Sequence, residues 1–185
     1  AKIYCLTSQE CKKILQHCPY LDGLIVIDAR DKGVKSLWAL ARRLRKYRFD
    51  KIFDLQNSRR SHWLTFLAFP RESYGYDNGK WGWLLTNPLK KYRTDIPPVE
   101  HQFQLLSFSG VRCALKPRME LWLTDKDKGY AQELLESEWL GHCQNIVGIN
   151  LAASWKWQTK NLPVDYIAQV CDHLAAKNIR VLITG

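Results

Sequence analysis

The chain has 185 residues, 46% of them hydrophobic and 25% charged, with eight tryptophans, a composition that supplies a packed core and excludes a disordered polymer. Its 28 Lys and Arg against 18 Asp and Glu leave a formal charge of +10, which points to anionic partners: nucleic acid, a phosphorylated substrate or an acidic membrane surface. No apolar run approaches the ~20 residues that span a bilayer and no leader-like segment opens the sequence, so the expectation is either a cytoplasmic chain or one whose true beginning is missing.

Taken in order, short apolar runs alternate with segments of 3.6-residue period, the pattern of buried parallel strands and covering helices, so the expected class is α/β. Ile3–Leu6 and Leu24–Ile27 read as strands, each followed by a helix. In the second of those helices Leu37, Leu40, Ala41 and Leu44 form one apolar stripe, while Arg42, Arg43, Arg45, Lys46 and Arg48 crowd its outer side. That basic side reads as a solvated face, or as a dock for anionic lipid or nucleic acid. Lys51–Leu55 is the next strand. The stretch from Tyr74 to Pro98, broken by Gly75, Gly79, Gly82, Pro88, Pro97 and Pro98, reads as loops in which Trp81 and Trp83 pack on their own domain or stack on a sugar. Val99, Phe103 and Leu106 mark a helix closed by Gly110. Met119–Leu123 reads as a strand, and Thr124 to Asp127 has the capping-box pattern that opens a further helix. Ile146–Ile149 and Val181–Ile183 are strands flanking a helix striped by Ile167, Val170, Cys171 and Leu174.

Six cysteines, at 5, 11, 18, 113, 143 and 171, form no C-x-x-C pair and have no histidines at zinc-ligand spacing, so free thiols and no metal are expected. His17, His62, His101, His142 and His173 form no ligand pattern either. Asp54, at a strand end, reads as a loop-capping carboxylate rather than a base, because no carboxylate or histidine stands beside it in sequence. Arg59 and Arg60, just beyond that strand end, have guanidinium forks suited to carboxylate or phosphate.

The segment from Asn150 to Pro163 follows a buried strand and leads into a helix, which places it at the carboxyl edge of a sheet, where open α/β folds bind ligands. Ser154, Lys156 and Lys160 there, with the free N–H groups of a helix N-terminus, fit a phosphate cradle. An ordinary polar loop fits the spacing equally well, since no glycine-rich fingerprint is present.

The strand, Ala152-Ala153-Ser154, Lys160 and Pro163, with the amphipathic helix that returns to Val181–Gly185, is similar to the start of the donor half of glycosyltransferase family 9, the lipopolysaccharide heptosyltransferases. Asp54-Leu55-Gln56 with the basic, Ser-containing helix start Ser58-Arg59-Arg60-Ser61 resembles the same family, as do Glu72–Tyr76 and the helix from His101 to Gly110. The chain departs from the family at Ala152-Ala153, where a Pro-Gly-like pair is usual, at Leu162, where an aromatic is usual, and in a longer loop from Ser154 to Lys160.

The resemblance implies two Rossmann-like halves of GT-B type, both incomplete, with 1–140 the acceptor side and its connection and 141–185 the start of the nucleotide-sugar side. It implies metal-independent, inverting transfer of a heptose or related sugar, with no cofactor. The donor is an ADP-heptose-like nucleotide sugar whose phosphates meet Ser154, Lys156 and Lys160. The acceptor is an anionic inner-core lipopolysaccharide held by Asn57, Arg59 and Arg60. The basic charge fits peripheral contact with the inner face of the inner membrane, and nucleic acid is not an expected partner. Family members begin with a strand and a Gly-Asp loop that carries the proposed base, so the base is expected upstream of Ala1 and the 185-residue piece is expected to be inactive and poorly stable alone. The competing reading from another class is a basic α/β module that binds nucleic acid without chemistry, with Trp81, Trp83 and Tyr92 as stacking groups.

Overall fold

In a computed structural model the described residues are 1–27, 33–112, 118–138, 140–141, 143, 145–151 and 162–184. The chain divides into two compact units, Ala1–Trp122 and Leu123–Gly185.

The first unit opens with β1 (Tyr4–Ser8), α1 (Gln9–Leu15), β2 (Gly23–Ile27) and α2 (Val34–Arg45). It continues with β3 (Lys51–Phe53), α3 (Arg59–Leu67), β4 (Glu72–Tyr76), a 3-10 turn at Gly82–Leu84, β5 (Asn87–Leu89) and α4 (Pro98–Phe108). β1 and β2 pair in parallel, Tyr4 opposite Gly23 and Ser8 opposite Ile27. β3, β4 and β5 form a second parallel sheet in that order, with β4 central.

Two cores flank the strands. On one side Leu37, Ala41 and Leu44 of α2 and Leu64 and Leu67 of α3 pack with Ile25 of β2 and Ile52 of β3, so a single cluster spans both sheets. On the other, Tyr74 and Tyr76 of β4 and Phe53 of β3 meet Leu105 of α4. Ile52 and Phe53 therefore point to opposite faces, as the period of two requires. Tyr76 also donates its hydroxyl to the His101 carbonyl and stacks on that imidazole at 4.4 Å between ring centroids. Burial pushes the Tyr76 phenol up.

Helix starts follow local chemistry. The Ser58 hydroxyl accepts from the Ser61 N–H at 3.1 Å and the Ser61 hydroxyl accepts from the Ser58 N–H at 3.0 Å, a reciprocal cap on α3. Pro98 opens α4, and Gly110, at φ +85°, follows its end.

The second unit holds α5 (Asp125–Ser137), β6 (Ile146–Asn150), α6 (Val164–Ala175) and β7 (Arg180–Thr184). Thr124 and Asp127 form the expected capping box on α5. β6 and β7 pair in parallel from Ile146–Arg180 to Asn150–Thr184. Among the described residues this unit buries one apolar side chain, Leu140.

The architecture is the expected α/β with parallel sheets, and three stretches differ from the sequence reading. Tyr74–Tyr76, at the head of the expected loops, completes β4, where Tyr74 and Tyr76 bury their rings. Asn87–Leu89, expected as loop, pairs with β4 as an edge strand, where Pro88 lies opposite Gly75. Met119–Leu123, expected as a strand, is not one. Its apolar alternation meets no neighbouring strand, and Met119, Leu121 and Leu123 stay exposed, so high β-propensity without a partner edge leaves it irregular. The five described cysteines are free thiols, and burial raises the Cys5 thiol above its ordinary value.

Candidate functional site

The carboxyl ends of β3 and β4 carry the best-built polar cluster among the described residues, and Asp54 organises it. Its Oδ1 accepts from the N–H groups of Gln56 and Asn57, 3.0 Å each, which folds the chain back immediately after β3. Asn57 takes a left-handed backbone, φ 50°, and its Oδ1 accepts from the Tyr76 N–H at 3.0 Å. Asn78 Nδ2 in turn donates to the Asn57 carbonyl at 3.1 Å. The loop is thus tied to the end of β4 on both sides. Gly75 permits the approach: a Cβ there would stand 2.6 Å from Leu85 Cδ1 and 3.5 Å from Asn57 Oδ1.

His62 completes the cluster. Its ring is fully buried, and Nδ1 lies 2.7 Å from the Lys80 carbonyl oxygen, which only accepts, so Nδ1 carries the hydrogen. Nε2 then faces Asp54 Oδ2 at 3.6 Å. Neither of those two buried atoms has a hydrogen-bond partner among the described residues. With Nδ1 committed as donor, Nε2 donates toward the carboxylate only in the imidazolium form.

Asp54 therefore caps a loop, as its sequence position implied, but it is not without a histidine. The sequence reading missed His62 because it lies eight positions further along the chain. The signal that locates it is Ser58 as helix cap, which puts His62 one turn into α3, where side chains lean back toward the helix start and the strand end.

Of the expected acceptor residues, the structure brings Asn57, Arg59 and Arg60 together at this helix start. Asn57 is built into the loop, while Arg59 and Arg60 are exposed beyond it. The Arg59 guanidinium sits over the Trp81 ring at 5.7 Å. Trp81 so packs on its own unit, whereas Trp83 is 73% exposed. The expected donor residues Ser154, Lys156 and Lys160 lie outside the described residues. Their flanks are described: the Leu151 N–H donates to the Thr184 carbonyl at 2.9 Å, extending the β6–β7 ladder to its carboxyl edge, and Pro163 stands immediately before α6. Pro163 is thus the residue before the first helical position.

Two clefts lie elsewhere, one lined by Leu123, Leu135, Leu140 and Ile146, the other by Arg93, Glu100 and Gln104, and neither includes Asn57 or Arg59. Among the described residues no group of three His, Cys, Asp or Glu side chains is placed to hold a metal ion, and no helix is long and apolar enough to cross a membrane.

The family model described as glycosyltransferase family 9 (heptosyltransferase) matches residues 37–185, a span that takes in the Asp54–His62 loop, both arginines and the β6–α6–β7 unit. The chain belongs to glycosyltransferase family 9. Two solved structures agree in fold. One is a glycosyl transferase family 9 protein from Veillonella parvula DSM 2008, with a TM-score of 0.85, 18% identity, and coverage of 100% of this chain and 53% of that one. The other is the E. coli ADP-heptose lps heptosyltransferase II, with a TM-score of 0.75, 18% identity, and coverage of 100% and 55%. The chain thus spans about half the length of the structures it matches. No curated protein sequence matches it. Within family 9 the α/β architecture of GT-B type, with parallel strands and covering helices, is the one expected.

Proposed function

We propose that the protein of which these residues are part transfers a heptose or related sugar from a nucleotide-diphosphate donor to an anionic inner-core lipopolysaccharide acceptor. The observation that carries this reading is the family-9 match across a loop that Asp54 and Asn57 hold rigidly, with Arg59 and Arg60 projecting beyond it. In the transfer an acceptor hydroxyl attacks the anomeric carbon, its proton leaves to a base, and the bond to the donor phosphate breaks with its electron pair on the diphosphate. Back-side attack inverts the anomeric centre. Ser154, Lys156, Lys160 and the start of α6 stabilise the departing charge without a metal. Arg59 and Arg60 hold acidic groups of the acceptor. The reading assigns no catalytic base to residues 1–185. It places the enzyme in the cytoplasm, touching the inner face of the inner membrane.

The test is a pair of variants in the complete enzyme. Arg59→Ala with Arg60→Ala is expected to raise acceptor KM with donor affinity nearly intact. Lys160→Ala is expected to cost one to three powers of ten in kcat or donor KM, on the scale of about 2 to 4 kcal/mol for a lost charge-stabilising contact. Donor affinity that falls with the arginines, or kinetics unchanged without Lys160, would overturn the assignment.

A further inference from the structure

Two helical stripes, sharing only Arg59 with the assigned site, meet on the outside of α2 and α3. On α2, Trp38, Arg42 and Arg45 lie at i, i+4 and i+7, and on α3 Arg59, Trp63 and Phe66 repeat that spacing. The rings and guanidinium groups form one unbroken path. Trp81 meets Trp63 at 6.4 Å, Trp63 stacks on Phe66 at 5.7 Å, and Phe66 meets Phe69 at 6.1 Å. Arg45 then lies over Phe69 at 4.3 Å and over Trp38 at 5.7 Å. It is pinned there by donation from its Nε to the Leu67 carbonyl at 2.7 Å, so this arginine, expected on a solvated face, bridges the two stripes.

These rings are not core. Trp38, Phe66, Phe69 and Trp81 are 45, 41, 63 and 44% exposed. Two of them, Phe69 at φ 50° and Trp81 at φ 66°, hold a left-handed backbone that bulky residues avoid. At Phe69, 63% exposed, burial within the unit does little to offset that strain. Along the two helices the charge has one sign. No Asp or Glu occurs from Gly33 to Phe49 or from Leu55 to Arg71, while Lys35, Arg42, Arg43, Lys46 and Arg48 are all exposed.

We infer that this strip is the surface by which the protein docks on an anionic lipid bilayer, its aromatic rings seated at headgroup depth and its cations on lipid phosphates. Aromatic rings, tryptophan above all, favour that interfacial layer, and clustered basic residues are drawn to an acidic leaflet. The inference deepens the membrane contact proposed above and rests on that reading. It is tested without sugar transfer, so the two fail separately.

The full chain is mixed with vesicles of phosphatidylcholine alone or with phosphatidylglycerol added, and binding is read by co-flotation. Quenching of tryptophan fluorescence by lipids brominated along the acyl chain reads ring depth. Binding is expected on the anionic vesicles, with quenching. Phe66→Ser with Phe69→Gly is expected to weaken it at least tenfold while leaving the fold intact, since glycine relieves the strain at φ 50°. Lys35→Gln with Arg42→Gln is expected to weaken it about fivefold per charge, and less at high salt. The quenching measurement on the unaltered chain holds whether or not a variant folds. No binding to anionic vesicles, or binding without quenching, would overturn the inference. So would tighter binding to single-stranded nucleic acid that the same variants abolish, or a concentration-dependent dimer that they dissociate.

Discussion

Replacing Asp54 by alanine removes the acceptor of two backbone N–H groups and leaves the buried His62 Nε2 facing an empty space. Hydrogen bonds to a charged acceptor contribute about 1.5 to 3 kcal/mol each. Gln56 is exposed, so water recovers part of its bond, and the total expected loss for Asp54→Ala is about 3 to 5 kcal/mol. Asn at this position keeps Oδ1 for both N–H groups, though each bond is weaker without the charge. Asp54→Asn should therefore lose only about 1 to 2 kcal/mol. The gap, about 2 kcal/mol, is a factor of roughly 30 in the folded-to-unfolded ratio, large against the stability of a typical domain. Urea unfolding followed by tryptophan fluorescence measures it, and amide exchange at Gln56 and Asn57 shows whether the loop is what gives way. Equal losses for both variants, with those two amides unchanged, would show that the loop cap is not the role of Asp54.

At Gly75 a methyl group has no room beside Leu85, so Gly75→Ala is expected to cost about 1 to 3 kcal/mol, and Leu85→Ala in the same chain to recover part of it, both read from unfolding midpoints. Amides of β6, α6 and β7 should exchange faster than those of β3, β4 and α3, because the second unit has a single buried apolar side chain among its described residues; equal protection would show that burial does not set local stability here. The Glu72 carboxyl is held below its ordinary value, first by the Tyr74 hydroxyl and then by hydrogen bonding to Lys51. A lowered folded value means the contribution is present above the unfolded value and is lost as pH falls through the folded one. Glu72→Gln should flatten that acid limb of the stability curve, and an unchanged limb would remove Glu72 from it.

Legibility followed the source of each element's stability. α2 was readable because Leu37, Ala41 and Leu44 recur on one helical face and that face is the one buried. The cap on α5 was readable because side chain and backbone N–H lie within three residues of one another, whereas the helix start at Ser58 entered through the family resemblance. Asn87–Leu89 was not, since a three-residue edge strand with a central proline carries no period of its own and exists only because β4 offers a pairing edge. Met119–Leu123 erred the opposite way: the pattern was present and the partner was not. At the site, Asp54 and the two arginines stood out by type and position. Asn57 entered through the family resemblance as an acceptor residue, but its role in building the loop was not legible, because it rests on a left-handed backbone and on a long-range bond to the Tyr76 N–H that no local pattern announces.

In the first unit, backbone ladders run within β1–β2 and within β3–β4–β5, and among the described residues none joins the two sheets, while one side-chain cluster of α2 and α3 spans both. Each ladder pairs strands that are near neighbours along the chain, Tyr4 with Gly23, Lys51 with Glu72, Tyr74 with Asn87, so each closes a short loop at modest entropic cost. What joins the two ladders is therefore a pair of hydrophobic faces rather than matched hydrogen-bond registers. Substitutions such as Ala41→Gly would slow or loosen that joining and leave each ladder to form at its own rate.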